Sequence, residues 1–330
     1  MKLSIIIPVY NNSKFIDQSY RFVRAQELDD FEIIYIDNNS VDDSVKLIEQ
    51  ICIKDSRVWL YHQRKQGAGA SRNLGISKAN GTYVYLFDVD DEIYPGTLKR
   101  MIEILDTTPE VDAVFGKMVK SYNGIESTEK PTDETLDVTV KNPPDLGIRW
   151  FGDLRTVVGP PAFLYRKAVF KKIGFYNEAL RLGEDTAFDI KLGMLCKVAA
   201  YDAYVYLYRK HNLSTTQKAK KQESMIFHTW KRLVLEHLPF YVKYEPPLAY
   251  KRILFHGIFS TMGKLIFDTK GMRKRVSLVK QIHQDIVPIR LPFYITLYLW
   301  LLVLLPIKIL LKVYVYWIAK PYVARKLSYL

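Results

Sequence analysis

Apolar residues in this chain fall in short unbroken runs parted by polar, turn-forming segments, a spacing that predicts buried strands alternating with helices. Leu3-Ser4-Ile5-Ile6-Ile7-Pro8-Val9-Tyr10 reads as a first strand buried on both faces, closed by Pro8 and the turn residues Asn11 and Asn12. Ser13 then caps a helix to about Gln26, with Phe15, Ile16, Tyr20 and Val23 on one stripe. A second strand, 32–36, ends at Asp37-Asn38-Asn39-Ser40, and Asp42, Asp43 or Ser44 opens a helix reaching Cys52. Residues 57–62 form a third strand. This βαβαβ rhythm predicts a parallel sheet with right-handed crossovers.

A fourth apolar run, Tyr83 to Phe87, leads straight into Asp88-Val89-Asp90-Asp91. A buried strand that delivers three carboxylates to its end is costly unless a positive charge sits there. Oxygen ligands of this kind suit a hard dication, Mn²⁺ or Mg²⁺, sharing its shell with phosphate. The plainer alternative is an acidic turn capping the next helix. Just upstream, Gly67 and Gly69 allow close backbone approach, and a helix from about Ala70 is expected to end at Gly81 as its cap. Arg72 lies in the first turn of that helix, against the dipole, which makes sense if it meets phosphate or the acidic turn.

Downstream, a helix from Pro95-Gly96-Thr97 to about Leu105 precedes a strand over 113–119. Residues 121–145 are polar and read as a flexible insertion or hairpin. Gly159 to Arg166 suggests a short strand after a turn, and a short helix follows over 168–173. Glu184 and Asp185 stand at the start of a helix to about Cys196, either as helix-start charge or as a general base above a cleft. A strand over 204–208 runs into Arg209-Lys210-His211-Asn212-Leu213-Ser214-Thr215-Thr216, a basic, hydroxyl-rich loop able to close over a diphosphate.

Taken in order, Ser4 to Asn11, Asp37, Gly69-Ala70-Ser71-Arg72-Asn73-Leu74-Gly75, Asp88-Val89-Asp90-Asp91 and Glu184-Asp185 resemble the motifs of family-two glycosyltransferases. The resemblance spans about residues 1–216. It implies the GT-A fold, an α/β, Rossmann-like and mostly parallel sheet flanked by helices, and inverting sugar transfer from a nucleotide donor. It also implies site roles: Pro8, Tyr10 and Asp37 beside the donor's base, Arg72 and Asp88 at its base or ribose, and Asp90 on Mn²⁺ or Mg²⁺. Asp185, with Glu184 beside it, would be the base, His211 would serve metal or diphosphate, and Arg209, Ser214 and Thr215 would belong to the closing loop. Three features depart from the family, the smallest being Ser71 where Ala is common. Asn38-Asn39 follows Asp37 where a second acid and a glycine are common, and the Gln-x-x-Arg-Trp signature of processive synthases is missing, which favours single addition.

Charge adds a second part to this picture. The net charge is +13, yet Arg209 to Leu330 holds 22 Lys and Arg against five acids, leaving the rest at −4. Cys52 and Cys196 offer no disulfide framework or metal spacing and read as free thiols in a reducing compartment. No secretory leader is visible at Met1-Lys2-Leu3-Ser4, so the amino-terminal part is expected in the cytoplasm. Leu291 to Ile307 carries no charge, with aromatic and basic residues beyond it to about 319. With basic residues on both flanks, helices lying in the membrane interface fit better than a span. Nucleic acid falls away as a partner, because the basic residues accompany an apolar stripe.

The expectation is a catalytic domain over 1–216, with a donor half 1–120 and an acceptor half 121–216, then a helical, basic, membrane-associating region over 217–330. The expected enzyme adds one sugar from a nucleotide donor, UDP-linked by resemblance, to a glycan or polyprenyl-linked acceptor at the cytoplasmic membrane face. The rival reading is a catalytically degenerate scaffold that docks on membranes and binds a nucleotide or glycan. Nucleotidyl transfer would call for a glycine-rich phosphate loop after the first strand, and Pro8 to Asn12 does not provide one.

Overall fold

β1 (Leu3–Val9) is buried along its length except at Pro8, and the first half of the molecule is laid out around it. The computed structural model describes residues 1–211 and 224–328; the chain divides into Met1–Gln217 and Lys218–Leu330, each with its own core. In the first unit, β2 (Phe31–Asp37) and β3 (Val58–His62) lie in parallel register on one side of β1, and β4 (Tyr83–Leu86) lies parallel on the other. Helices α1 (Ser13–Arg24), α2 (Ser44–Lys54) and α3 (Ala68–Lys78) make the crossovers. The expected βαβαβ frame is present.

The second half of the sheet departs from the mostly parallel expectation. After β5 (Glu92–Ile93) and α4 (Thr97–Thr107) come β6 (Ala113–Ser121), β7 (Val138–Lys141), β8 (Phe163–Arg166) and β9 (Val198–Arg209). The order across the sheet is β3-β2-β1-β4-β8-β6-β9-β5, with β7 also on β9. β8 runs antiparallel to β4 and β6, and β5 and β7 run antiparallel to β9, so the sheet is mixed. Part of the polar 121–145 segment is therefore sheet: β7 zips onto β9.

Two close approaches seat the helices. A Cβ on Gly75 would stand 2.2 Å from Ile6 Cγ2, so α3 lies directly on the Ile6 side chain of β1. The helix ends at Ala79, not Gly81. Gly81 instead lets the chain pass β1, where a Cβ would fall 2.6 Å from the Ser4 nitrogen. On the other half of the sheet, α5 (Asp145–Gly152) crosses α7 (Glu184–Leu195) glycine to glycine, and a Cβ on Gly193 would lie 2.5 Å from the Gly147 nitrogen.

The second unit wraps short helices around Leu248–Asp268, which buries Leu254, Phe255, Ile258, Phe259, Met262 and Ile266. The charge-free stretch forms the helix Phe293–Leu304, broken before Lys308–Val313. Tyr314, in the π-helical turn that follows, lies over Gly263, and its hydroxyl donates to the Phe259 carbonyl at 2.9 Å. No described helix is long and apolar enough to cross a membrane.

Because the atom facing Gly193 is backbone and cannot swing aside, Gly193→Ala is expected to destabilise the chain by about 1–3 kcal/mol through overpacking. Urea unfolding followed by far-UV circular dichroism measures this. An unchanged midpoint would mean the two helices part freely.

Candidate active site

β2 and β3 lie on one side of β1 and β4 on the other, so chain order reverses between β1 and β4. In open α/β sheets the crevice beyond the strand ends at such a point is where ligands bind. Pro8 belongs to this opening. Phe87 donates to the Ile6 carbonyl at 2.9 Å, so Ile6 and, two residues on, Pro8 address the β4 side. β4 has already ended there, and the missing proline N–H costs no ladder bond.

The lip on the β1–β2 side is cross-tied. Asn11 N donates to Ser40 Oγ at 3.0 Å and Val41 N to Asn11 Oδ1 at 2.8 Å. Asp42 accepts from the Ser13 nitrogen at 2.9 Å and the Ser44 nitrogen at 3.1 Å, capping the starts of α1 and α2 together. Asp37 is buried; it accepts from Ser40 N and lies 3.3 Å from His62 Nδ1. Tyr10 is exposed beside it. The Asn38 departure has a structural reason. Its amide donates to the carbonyls of Gln63 and Lys65 at 2.7 and 2.9 Å and accepts from Gly67 N at 2.7 Å, which pins the loop that starts α3. An acid could not make the two donor bonds.

From that pinned loop α3 delivers Arg72, which is 4% exposed. Its Nη2 donates to Asp88 Oδ1 at 2.8 Å and its Nη1 to Glu184 Oε1 at 3.2 Å. One guanidinium thus joins the acidic turn after β4 to the acidic start of α7, residues 96 positions apart in sequence (88 and 184). Asn73 adds a second tie, exchanging hydrogen bonds of 2.9 Å with the Tyr176 backbone and donating to Glu178 at 2.9 Å. Burial works against the Arg72 charge, but Asp88 and Glu184 outweigh it and hold the proton on. Burial and then the Asp185 charge push Glu184 up, against the pull of Arg72. Asp185 itself is half-buried, its Oδ1 accepting from the Thr186 nitrogen at 2.6 Å.

Across the turn, Asp90 Oδ2 lies 2.6 Å from His211 Nε2. Asp91 accepts from the Arg209 nitrogen at 3.0 Å, and the Arg209 guanidinium is ion-paired with buried Glu92. Glu92 also takes Gln18 and the Ile125 nitrogen at 3.1 and 2.8 Å, fastening the 121–128 segment to the site. Burial first, then the neighbouring carboxylates, pushes both Asp90 and Asp91 up. Asp91 Oδ2 and His211 Nδ1 are buried with no hydrogen-bond partner among the described residues. Ser214 and Thr215 lie outside the described residues.

The carboxylates of Asp88, Asp90 and Asp91 crowd one turn, and Asp91 Oδ2 is left unmatched, so further positive charge is stabilising there. Asp90 and His211 supply an O,N pair for a divalent ion, but no set of three or more His, Cys, Asp or Glu is arranged as a cage among the described residues. A two-residue set fits an ion that takes its other ligands from substrate phosphates and water.

The sequence marked Asn38 only as a departure from the family and gave Asn73 and Glu92 no role, since their partners lie 25 to 117 positions away. The only local signal was polarity beside a motif. Arg72→Met is expected to leave buried Glu184 and half-buried Asp88 without their cation and cost about 3–5 kcal/mol, the scale for breaking a buried ion pair from one side. Chemical denaturation reads this directly, and a loss under 0.5 kcal/mol would show that the bridge does not hold these segments.

Among curated proteins, the chain is 27% identical over 217 residues to the uncharacterized glycosyltransferase EpsJ of Bacillus subtilis (strain 168), covering 65% of this chain and 63% of that one. It is 25% identical over 219 residues to glycosyltransferase GlyG of Streptococcus pneumoniae, covering 64% and 71%. Over 104 residues it is 32% identical to the Campylobacter jejuni GalNAc(5)-diNAcBac-PP-undecaprenol beta-1,3-glucosyltransferase, 31% of this chain and 34% of that one. The matches span less than two thirds of the first relatives' length, 63% of EpsJ and 15% of a Rickettsia bellii glycosyltransferase.

Among solved structures, S. aureus TarS 1-349 in complex with UDP-GlcNAc shares the fold with a TM-score of 0.66 at 18% identity, over 99% of this chain and 92% of that one. The mannosyltransferase PcManGT from Pyrobaculum calidifontis, in complex with GDP-Man and Mn2+, gives 0.52 at 14% identity, over 99% and 86%. The mixed α/β architecture is therefore GT-A-like. Residues 4–174, just over half of the chain, match the family described as Glycosyl transferase family 2, and the chain belongs to that family.

Proposed function

We propose that the protein moves one sugar from a nucleoside-diphosphate donor, with inversion, to a hydroxyl of a lipid-linked or surface glycan. The observation that carries this reading is the Arg72 bridge, which ties the turn bearing Asp90 to the helix start bearing Asp185. Family membership supports it, as do the TarS structures with UDP and UDP-GlcNAc, which favour a UDP-linked donor.

In this reading Pro8, Tyr10 and Asp37 flank the base, Asp88 takes the ribose side, and Arg209 with Ser214 and Thr215 closes over the diphosphate. Asp90 and His211 would hold Mn²⁺ or Mg²⁺, as the Mn2+ complex of PcManGT also suggests. When bound, the ion supplies charge neutralisation at the diphosphate. Asp185 accepts the proton of the acceptor hydroxyl as its oxygen bonds to the anomeric carbon, and the carbon–oxygen bond to the diphosphate breaks on the opposite face. Arg72 keeps Glu184 and Asp88 in register.

The Campylobacter relative is named for an undecaprenol-linked glycan, which supports an acceptor on a lipid carrier here. The second unit offers a matching surface. Phe293 (82% exposed), Leu297, Leu304, Ile309 and Trp317 (79%) are exposed apolar side chains along 293–317. No acid follows Asp285, whereas Lys308, Lys312, Lys320, Arg325 and Lys326 do. Exposed apolar and aromatic groups set among cations suit the interface of an anionic bilayer. In this reading the protein sits peripherally at the cytoplasmic membrane face and builds cell-envelope polysaccharide.

Asp185→Asn is expected to lower transfer from UDP-sugars by about 10²–10⁴-fold with UDP affinity nearly unchanged. Turnover at the wild-type rate would remove Asp185 as the base. Asp90→Asn should abolish the gain in UDP affinity that Mn²⁺ gives in isothermal titration; an undiminished gain would place the ion elsewhere. The full chain should sediment with phosphatidylglycerol vesicles and much less with phosphatidylcholine, and a Phe293→Glu, Trp317→Glu double variant should stay in the supernatant. Equal sedimentation of that variant would shift the membrane contact off this surface.

A further inference from the structure

One helical turn beyond Asp185, on the same face of α7, is Asp189, fully buried and with no hydrogen-bond partner among the described residues for either carboxyl oxygen. It sits in the apolar setting of Ala187, Phe188 and Ile190. The hydroxyls of Tyr165, on β8, and Tyr176, in the loop before α7, are buried and pair with each other. These two groups interact electrostatically with Asp189 and with each other. Tyr176 stacks on Phe188 with ring centroids 4.4 Å apart, and Arg72 lies 5.5 Å over the Tyr176 ring. Arg72 Nε, the donor left after its two Nη atoms engage Asp88 and Glu184, also has no partner among the described residues.

Each buried polar atom left unmatched costs about 1–3 kcal/mol, so the two Asp189 oxygens and Arg72 Nε are not tolerated dry. A polar site with several convergent donors and acceptors is where buried water is held. We propose that Asp189, Tyr165, Tyr176 and Arg72 Nε enclose a water-holding chamber behind the catalytic carboxylates, and that Asp189 is a positioning residue there. Through the water it fixes the rotation of the Arg72 guanidinium, and with it the register of Asp88 and Glu184. The inference rests on the reading of Asp185 as base.

Asp189 acts in its neutral form, since a lone carboxylate in so closed a space is strongly disfavoured. The groups facing it are Arg72 from α3, Asp185 from its own helix, Tyr165 from β8 and Tyr176 from the preceding loop. Burial, and then the Asp185 charge, pushes the Asp189 carboxyl well up, with Arg72 pulling the other way. The folded chain therefore keeps a proton that the unfolded chain releases above about pH 4, and this acid favours the folded state less as pH rises.

Three measurements on the full chain test the proposal, two of them independent of turnover. In the wild-type minus Asp189→Asn infrared difference spectrum at pH 7.5, a protonated-carboxyl C=O band is expected; its absence overturns the neutral form. The ratio of folding constants, Asp189→Asn over wild type, should grow by up to about tenfold per pH unit above pH 4; a flat ratio does the same. In UDP-GlcNAc hydrolysis, Asp189→Asn should keep the wild-type kcat, while Asp189→Leu should lose about tenfold or more in kcat with donor KM nearly unchanged. Equal losses in both variants, or none in Asp189→Leu, would overturn the positioning role. A wild-type chain that hydrolyses no UDP-sugar would count against the proposed function, while the first two measurements still decide the chamber.

Discussion

The site depends on one buried cation shared between two distant acids. Without Arg72, the turn after β4 and the start of α7 would each present carboxylates to the same small space, and their repulsion would add to the cost of removing them from water. With it, both are satisfied in a geometry suited to the planar guanidinium fork, which a lysine could not reproduce. The pair is therefore more than stabilising. It sets where the start of α7 stands relative to the acidic turn.

Everything around this bridge serves to bring it to the right place. Gly75 lets α3 sink onto β1, Asn38 pins the loop that starts α3, and Asn73 ties the helix to the loop before α7. On the far side, Glu92 binds Arg209, Gln18 and Ile125 together, so the strand that ends near His211 is anchored to the same turn. Asp88, Asp90 and Asp91 lie on the turn after β4, whereas Glu184 and Asp185 begin α7, and Arg72, Asn73 and Glu92, which hold these segments, lie on α3 and β5.

Much of this was legible in the chain. The runs at 3–10 and 83–87 behave as buried parallel strands because unbroken apolar sequence has few other stable settings in an α/β sheet. Arg72 in the first turn of a helix was anomalous for the dipole, and that local conflict pointed to its carboxylate partners. Other features were not legible. β5 is two residues long and β7 is largely exposed, so neither carries a hydrophobic period, and both exist through pairing with β9. Gly81 resembled a cap because a helix ends nearby, yet its cause is the close passage of β1, which no local pattern encodes. Asp189 carried only a faint signal, an acid inside an apolar stretch of helix, and its setting depends on tyrosines from two other segments. Long-range hydrogen bonds, not propensities, account for what was missed.

The second unit has its own logic: a buried central helix, short helices around it, and an apolar, aromatic and cationic surface along 293–317. What joins the account is the claim that a donor lies between Asp90 and Asp185 across the Arg72 bridge. A crystal structure of the full chain with UDP-GlcNAc and Mn²⁺ tests this most directly. The account expects the ion on Asp90 and His211 with the diphosphate, and a carboxylate oxygen of Asp185 facing the anomeric carbon from the side opposite the leaving group. A nucleotide bound away from the β1–β4 crevice, or a sugar whose anomeric carbon turns its other face to Asp185, would contradict it.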